Sequence, residues 1–258
     1  MEALVALVAR LRGPGGCPWD AKQTDSSIKV YLLEEAYEVL EAVERSLPGD
    51  VCLELGDLLF QILFLARLAQ EREEFDFADV VEGVTKKMVH RHPHVFGNTR
   101  VDNAEEVATN WARIKRNEKG ATSRASSLLK NVPTDLPALL RAHRLSERAS
   151  NVDFDWVDAR GVWDKVGEEF FELESAIDSQ DREEIAEEIG DLLFSLVNLA
   201  RHWGLNAEHQ LRMANSKFVK RFEEMESELR SSGIELEDAT AEQMDRAWEK
   251  IKNQAGQD

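Results

Sequence analysis

Four acids stand at helical spacing in the stretch EEAYEVLEAVERSLPGDVCLELGDLLFQILFLAR, Glu34 to Arg67: Glu35 and Glu38, then Glu54 and Asp57. The stretch EEFFELESAIDSQDREEIAEEIGDLLFSLVNLAR, Glu168 to Arg201, repeats them as Glu169, Glu172, Glu188 and Asp191. Residues three apart on a helix lie about 60° from each other, so each pair shares a face. Glu35 and Glu38 fall in one stripe with Tyr31 and Ala42, and Glu54 and Asp57 run into Leu58, Gln61 and Leu65. The acids are therefore in line with residues that pack, and they are expected to face the partner helix. Four carboxylates brought together repel one another and resist ionisation unless a cation joins them. Oxygen-only ligands suit Mg²⁺ or Mn²⁺. A di-iron bundle would use Glu-x-x-His on two of its helices, and here the partner three residues on is Glu or Asp. A lone Glu-x-x-Glu is ordinarily a solvated helix face. Two such pairs on adjacent antiparallel helices, present twice, favour a metal site instead.

The charge balance narrows what such a metal would serve. The 258 residues carry 50 acids against 32 Lys and Arg, a formal net charge of −18. That argues against nucleic acid, whose phosphate backbone requires clustered Lys and Arg. A small polyphosphate remains compatible, because bridging Mg²⁺ supplies the positive charge that the protein lacks. Lys217 and Arg221, one turn apart and following Asn215, are candidates to grip phosphates, as is Lys165, one turn before Glu169.

The elements that must position these residues are helices. Glu34 and Glu168 lie 134 residues apart, as do Arg67 and Arg201, so a helix, a turn and a second helix align without a gap; this is an internal duplication. Apolar periodicity predicts a short helix over residues 2–12, broken by Gly13-Pro14-Gly15-Gly16. Thr24 or Ser26 can cap the next helix, which runs to about Arg45. Pro48-Gly49 turns the chain into a third reaching about Glu71, and Asp76 can cap a fourth ending near His92-Pro93. A fifth is predicted from about Ala104, with Trp111 and Lys115. In the second half, helices are expected from about Leu136, then the repeated pair with Asp181 and Glu184 at capping-box spacing, then 207–230 and 241–252. No run of alternating β-branched residues occurs, so the class is all-α. The Gly-, Ser- and Thr-rich stretch RNEKGATSRASSLLKNVPTD reads as a linker. The division expected is one helical bundle over 1–118, a linker over 119–134 and a second bundle over 135–258.

Cys17 and Cys52 make no disulfide framework or zinc spacing, which points to a reducing compartment, and Cys17 reads as structural. Glu2 ahead of the first apolar run and arginines behind it reverse the order of a signal peptide. The richest apolar run, Leu58 to Leu65, is too short to span a membrane, so a cytoplasmic protein is expected. His90, His92 and His94, around Pro93 at a helix exit, are read as capping or packing groups. Trp248 at helical spacing reads as core on pattern alone.

Taken together, the paired acid helices, the loop Cys17-Pro18-Trp19-Asp20, the HRHPHVF segment from His90 to Phe96, FDW at Phe154 to Trp156 and ANSKFVKRF from Ala214 to Phe222 resemble the two-domain MazG family of nucleoside triphosphate pyrophosphohydrolases. The resemblance covers nearly the whole chain. It implies two tandem all-α domains, a homodimer, and Mg²⁺-dependent cleavage of NTPs or dNTPs between the α- and β-phosphates to NMP and pyrophosphate. By motif it makes Glu169, Glu172, Glu188 and Asp191 the catalytic metal ligands, with Glu35, Glu38, Glu54 and Asp57 a second set. It makes Lys165, Glu168, Lys217, Arg221 and Trp248 nucleotide contacts, with Glu184 and Glu187 lining the site. The metal–acid cluster would polarise the α-phosphate for attack by an activated water.

In two-domain members the C-terminal copy generally carries the activity. Here Asn215 precedes Lys217 where Thr85 precedes Lys87, and Tyr31 stands where the second half has Lys165. Asp153, where the family usually shows Gly, is a departure at the turn before Trp156. The rival from another class is a non-catalytic helical interaction protein that binds Mg²⁺ and nucleotide as a regulatory signal. A third reading, a metal phosphodiesterase, would cleave other phosphoesters and show little preference for triphosphates.

Overall fold

A computed structural model of the chain describes residues 1–45, 47–103, 106–107, 110–111, 113–114, 128–130 and 132–254. Every regular element among them is helical. The chain divides into two compact units, Met1–Arg124 and Ala125–Asp258. Most of the helix expected from Ala104, including Lys115, and most of the linker expected over 119–134 lie outside the described residues.

In the first unit, α1 (Glu2–Arg12) ends where Gly15 takes a positive φ of 72° and the chain folds back over the helix terminus. A Cβ on Gly16 would meet the Leu11 carbonyl oxygen at 2.2 Å, so only glycine allows this close return. The Cys17 N–H then donates to that carbonyl at 2.7 Å. After a 3₁₀ turn at Asp20–Lys22, Thr24 opens α2 (Asp25–Glu44) with a reciprocal bond to Ser27. Pro48 starts α3 (Pro48–Glu71) at a position where its missing N–H costs nothing. Asp76 and Asp79 form the same reciprocal cap on α4 (Phe77–Arg91), and a single turn, α5 (Pro93–Phe96), follows.

α2 and α3 are the main packed pair, with α1 laid on α3. Val8, Ile28, Leu63, Phe64 and Leu68 form their shared core, Phe64 being 1% exposed. Arg12 clamps the preceding loop to this pair: it donates to the Asp20 carbonyl at 2.6 Å and to Glu71 Oε2 at 2.7 Å. Arg67 bonds the other oxygen of Glu71 at 3.0 Å.

The second unit holds α6 (Ala138–Ser150), α7 (Ala159–Ser179), α8 (Arg182–His202), α9 (Ala207–Ser231), a 3₁₀ turn at Leu236–Asp238 and α10 (Ala241–Gln254). α6 begins two residues later than the spacing suggests because Pro137 (ψ 139°) is extended. α7 and α8 are the main packed pair, closed by Val162, Val166, Ala176 and Val197. Met225, Leu229 and Ala247 join α9 to α10. Asp158 caps α7 through the Gly161 N–H at 3.0 Å. Asp181 caps α8 through Glu183 and Glu184 N–H groups at 2.9 and 3.3 Å. The return half of that capping box is not made: the Asp181 N–H donates to Ser179 Oγ, and Glu184 bonds the same hydroxyl.

Arg201, the residue matching Arg67, again ties the loop before the acid helix to the pair. Its Nη2 donates to Asp155 Oδ1 at 2.5 Å and to Asn198 Oδ1 at 2.7 Å, and His202 Nε2 lies 3.0 Å from the same Asp155 oxygen. Asp153, the departure noted in the sequence, sits at φ 61°, the left-handed region in which glycine is unstrained. The turn itself is kept, closed by Asp153 and Phe154 N–H groups on the Ser150 and Ala149 carbonyls.

Candidate active site

The acids occupy facing turns of α2 and α3 in one unit and of α7 and α8 in the other. One carboxylate oxygen from each of Glu169, Glu172 and Glu188 lies within 4.8 Å of the other two, and Glu35, Glu38 and Glu54 make the same arrangement. Asp57 and Asp191 stand outside these triads and are exposed, yet close enough that their charges act on Glu54 and Glu188. Facing the partner helix holds for only part of each set. Glu169 is buried, at 6% exposure; Glu35, Glu54 and Glu188 are half-buried; Glu38, Glu172, Asp57 and Asp191 are exposed. The reason is helical rotation: a residue three positions on turns about 60° toward water, where an ion keeps its hydration.

The crowding has an electrostatic signature in both copies. Desolvation, with Glu172, Glu169 and Asp191 nearby, pushes the Glu188 carboxyl above the usual range. Desolvation followed by Glu38, Asp57 and Glu35 does the same to Glu54. Glu35 is raised by burial, partly offset by a hydrogen bond from Gln61 and reinforced by Glu38 and Asp57. Such a cluster gains most from a cation at its centre. Three oxygens within 4.8 Å are close to the spacing of about 3–4 Å that an octahedral shell with bonds of about 2.0–2.1 Å imposes on Mg²⁺ ligands. The donor set is all oxygen, so the residues present fit a hard divalent cation.

The two copies differ in what supports the inward glutamate. Lys165 Nζ lies 2.9 Å from Glu169 Oε1 and 2.7 Å from Glu168 Oε1, and these bonds hold its ammonium well above the ordinary lysine range. In the first copy Tyr31 takes the place of Lys165, and Gln61 Nε2 donates to Glu35 Oε1 at 3.2 Å. The residue matching Gln61 is Ser195. The pattern of acids did not reveal either support. The available signals were a lone amide inside the apolar run Leu58–Leu65 and a lysine one turn before the first acid.

The remaining expected site residues are distributed over α8, α9 and α10. Lys217 is exposed and Arg221 half-buried, and neither makes an ion pair among the described residues. Trp248 is half-buried in the α9–α10 cluster, its ring 5.4 Å from that of Phe218. Pattern alone read it as core, and packing it is. Glu187 is exposed, and Glu184 is engaged at the start of α8. His92 and His94 behave as capping and packing groups: His92 Nδ1 lies 2.6 Å from the Met88 carbonyl oxygen, and its ring is 5.6 Å from that of His94.

Two segments, residues 23–96 and 162–225, match the MazG nucleotide pyrophosphohydrolase domain. The chain is 43% identical over 257 residues to the nucleoside triphosphate pyrophosphohydrolase of Escherichia coli K12, covering 98% of this chain and 97% of that protein. It is 43% identical over 251 residues to the nucleoside triphosphate pyrophosphohydrolase/pyrophosphatase MazG of Thermotoga maritima, covering 97% and 95%. A solved mazG-related protein from Thermotoga maritima is 30% identical, covers 45% of this chain and 99% of its own, and superposes with a TM-score of 0.40. The domain matches contain both acid triads, and the alignments to full-length relatives span both halves: the chain belongs to the MazG nucleotide pyrophosphohydrolase family and carries its domain twice.

Proposed function

We propose that this chain is a Mg²⁺-dependent nucleoside triphosphate pyrophosphohydrolase, with Mn²⁺ an alternative ion, that clears excess or aberrant NTPs and dNTPs. Water attacks the α-phosphorus, the α–β bridging P–O bond breaks, and NMP and pyrophosphate leave. The observation that carries this reading is the Glu169–Glu172–Glu188 triad on the two helices of the second domain match. The names of the curated relatives agree with it.

In this reading Glu169, Glu172, Glu188 and Asp191 hold the ion, and Glu35, Glu38, Glu54 and Asp57 form a second set of weaker catalytic consequence. When bound, the cation supplies Lewis-acid polarisation of the phosphate and offsets the acid charge. Lys165, Lys217 and Arg221 bind phosphate oxygens, Trp248 lies against the base, and Glu168, Glu184 and Glu187 line the approach. The ion when bound, or one of these carboxylates, would activate the attacking water. The functional division follows the sequence: domains over 1–118 and 135–258, joined by 119–134, with catalysis in the second.

We assign the working form as a homodimer. Trp163, Phe170 and Ile177 recur every seven residues along α7 and are all exposed, Phe170 at 61%; Ile189, Leu193 and Leu196 form an exposed apolar stripe on α8. Apolar stripes at this spacing are those that helices bury against one another. Both cysteines are free, no described helix is long and apolar enough to cross a membrane, and we place the protein in the cytoplasm.

Separating the products of an NTP and dNTP panel by chromatography tests the activity. NMP and pyrophosphate in equal amounts, dependent on Mg²⁺ and abolished by chelation, are expected. NDP and phosphate, or faster cleavage of phosphodiesters, would support a different hydrolase. Nucleotide binding without products would support the regulatory binder.

A further inference from the structure

Glu169 is the most buried carboxylate of the second triad, and a buried carboxylate is costly without a partner. Lys165, one turn earlier on α7, provides one: Nζ lies 2.9 Å from Glu169 Oε1 and also reaches Glu168. The same Glu169 belongs to the triad whose oxygens converge within 4.8 Å. An ammonium on that carboxylate competes with a divalent ion for the same negative charge. The first copy solves the burial differently. Its Glu35 takes a hydrogen bond from the neutral Gln61 amide, and Tyr31 occupies the lysine position. The duplication has therefore exchanged two positions together: lysine with serine in one copy, tyrosine with glutamine in the other.

We infer that Lys165 is an exchangeable counter-ion that the arriving divalent cation displaces from Glu169, releasing its ammonium for the phosphates of the nucleotide. The inference rests on the proposed function. The Lys165 side chain, about one-third exposed and tethered one turn from the triad, can swing outward by rotamer changes alone. Without the cation, Glu169 and Glu168 hold the ammonium and the nucleotide meets an uncompensated acid cluster. With the cation bound, the same site presents both the ion and the freed lysine. Metal and triphosphate are thus coupled through one side chain, and binding of either favours the other. The first copy lacks this coupling because Gln61 is neutral and Tyr31 carries no ammonium.

Amine-reactive footprinting of the full-length wild-type chain, read by mass spectrometry at each lysine, tests this. Mn²⁺ saturation is checked by calorimetry on the same sample, with α,β-methylene ATP as the uncleavable probe. Mn²⁺ alone is expected to raise labelling of Lys165 several-fold, and added α,β-methylene ATP to lower it again. Lys217, which has no ion pair among the described residues, should ignore Mn²⁺ and be protected only by the nucleotide. Unchanged or reduced Lys165 labelling at calorimetric saturation would overturn the exchange, while pyrophosphate release in a parallel assay would leave the proposed activity standing. A flat calorimetric trace together with no pyrophosphate would overturn the proposed activity, and the exchange with it.

Discussion

Glu188 illustrates the opposition between stability and function at a single residue. Its folded-state pKa is raised by desolvation and by Glu172, Glu169 and Asp191. The stabilisation linked to its protonated form is fully present below the ordinary glutamate value and is lost as pH rises through the folded one. Glu188→Gln is therefore expected to melt at a higher temperature than the wild type at neutral pH in chelator, and this advantage should vanish below about pH 4. In excess Mg²⁺ the order should reverse, since an ion at a hundred times its dissociation constant adds about 2.7 kcal/mol to the wild type alone. Differential scanning calorimetry at both pH values checks both halves. Asp155 has the opposite sign. Burial raises its carboxyl, but the bonds from Arg201 and His202 prevail and hold it below the usual range. Asp155→Asn should cost about 2 kcal/mol at pH 6. The deficit should shrink as pH falls from the unfolded pKa through the lower folded value, since the contribution is fully present only above the unfolded pKa. At this scale the triad acids were legible in the sequence because spacing alone fixes a helical face. Gln61 was not, because whether it meets Glu35 depends on how two helices rotate against each other; Lys165 stood out by its spacing from Glu169, but as a phosphate contact and not as the ion-pair partner it makes along its own helix.

Helices and turns were more fully legible. Thr24 and Asp76 announced their caps, and Pro48 the start of α3, because these residues satisfy or omit the N–H groups that a helix start leaves open; Pro93 reads as the end of α4, and the single turn it opens was not expected. The pairing of α2 with α3 and α7 with α8 followed from the short turns between them. The sequence could not fix how far each helix rotates, and this is why the second acid of α2 and of α7 faces water. Asp181→Ala removes the side-chain cap of α8 and is expected to cost about 1 kcal/mol in urea denaturation. The turn at Asp153 gives the reverse case. At φ 61° a glycine is unstrained, so Asp153→Gly should be neutral or stabilise by up to about 1 kcal/mol, whereas Asp153→Val should destabilise by at least about 1 kcal/mol. Neither change touches the triad, so activity per folded molecule should be unchanged.

At the scale of the molecule, the duplication lets one chain hold two acid sites of different character. The second pairs its inward glutamate with a cation, the first with an amide. The exposed stripes on α7 and α8 belong to this scale too. Phe170→Asp combined with Leu193→Asp is expected to convert a dimer of twice 29.3 kDa into monomers in sedimentation velocity, whereas an unchanged mass would remove this face as the interface. The duplication and the linker composition were plain in the sequence. The covering of apolar faces was legible only as a requirement, because a periodic pattern shows that a stripe must be buried without showing against what.

The most direct measurement is the rate of pyrophosphate release from an NTP and dNTP panel, with and without Mg²⁺, for the wild type, Glu172→Gln and Glu38→Gln. Metal-dependent release by the wild type, reduced at least about a hundredfold in Glu172→Gln and largely retained in Glu38→Gln, is the expected result. Absence of metal-dependent pyrophosphate from the wild type, or loss in Glu38→Gln with Glu172→Gln intact, would contradict it.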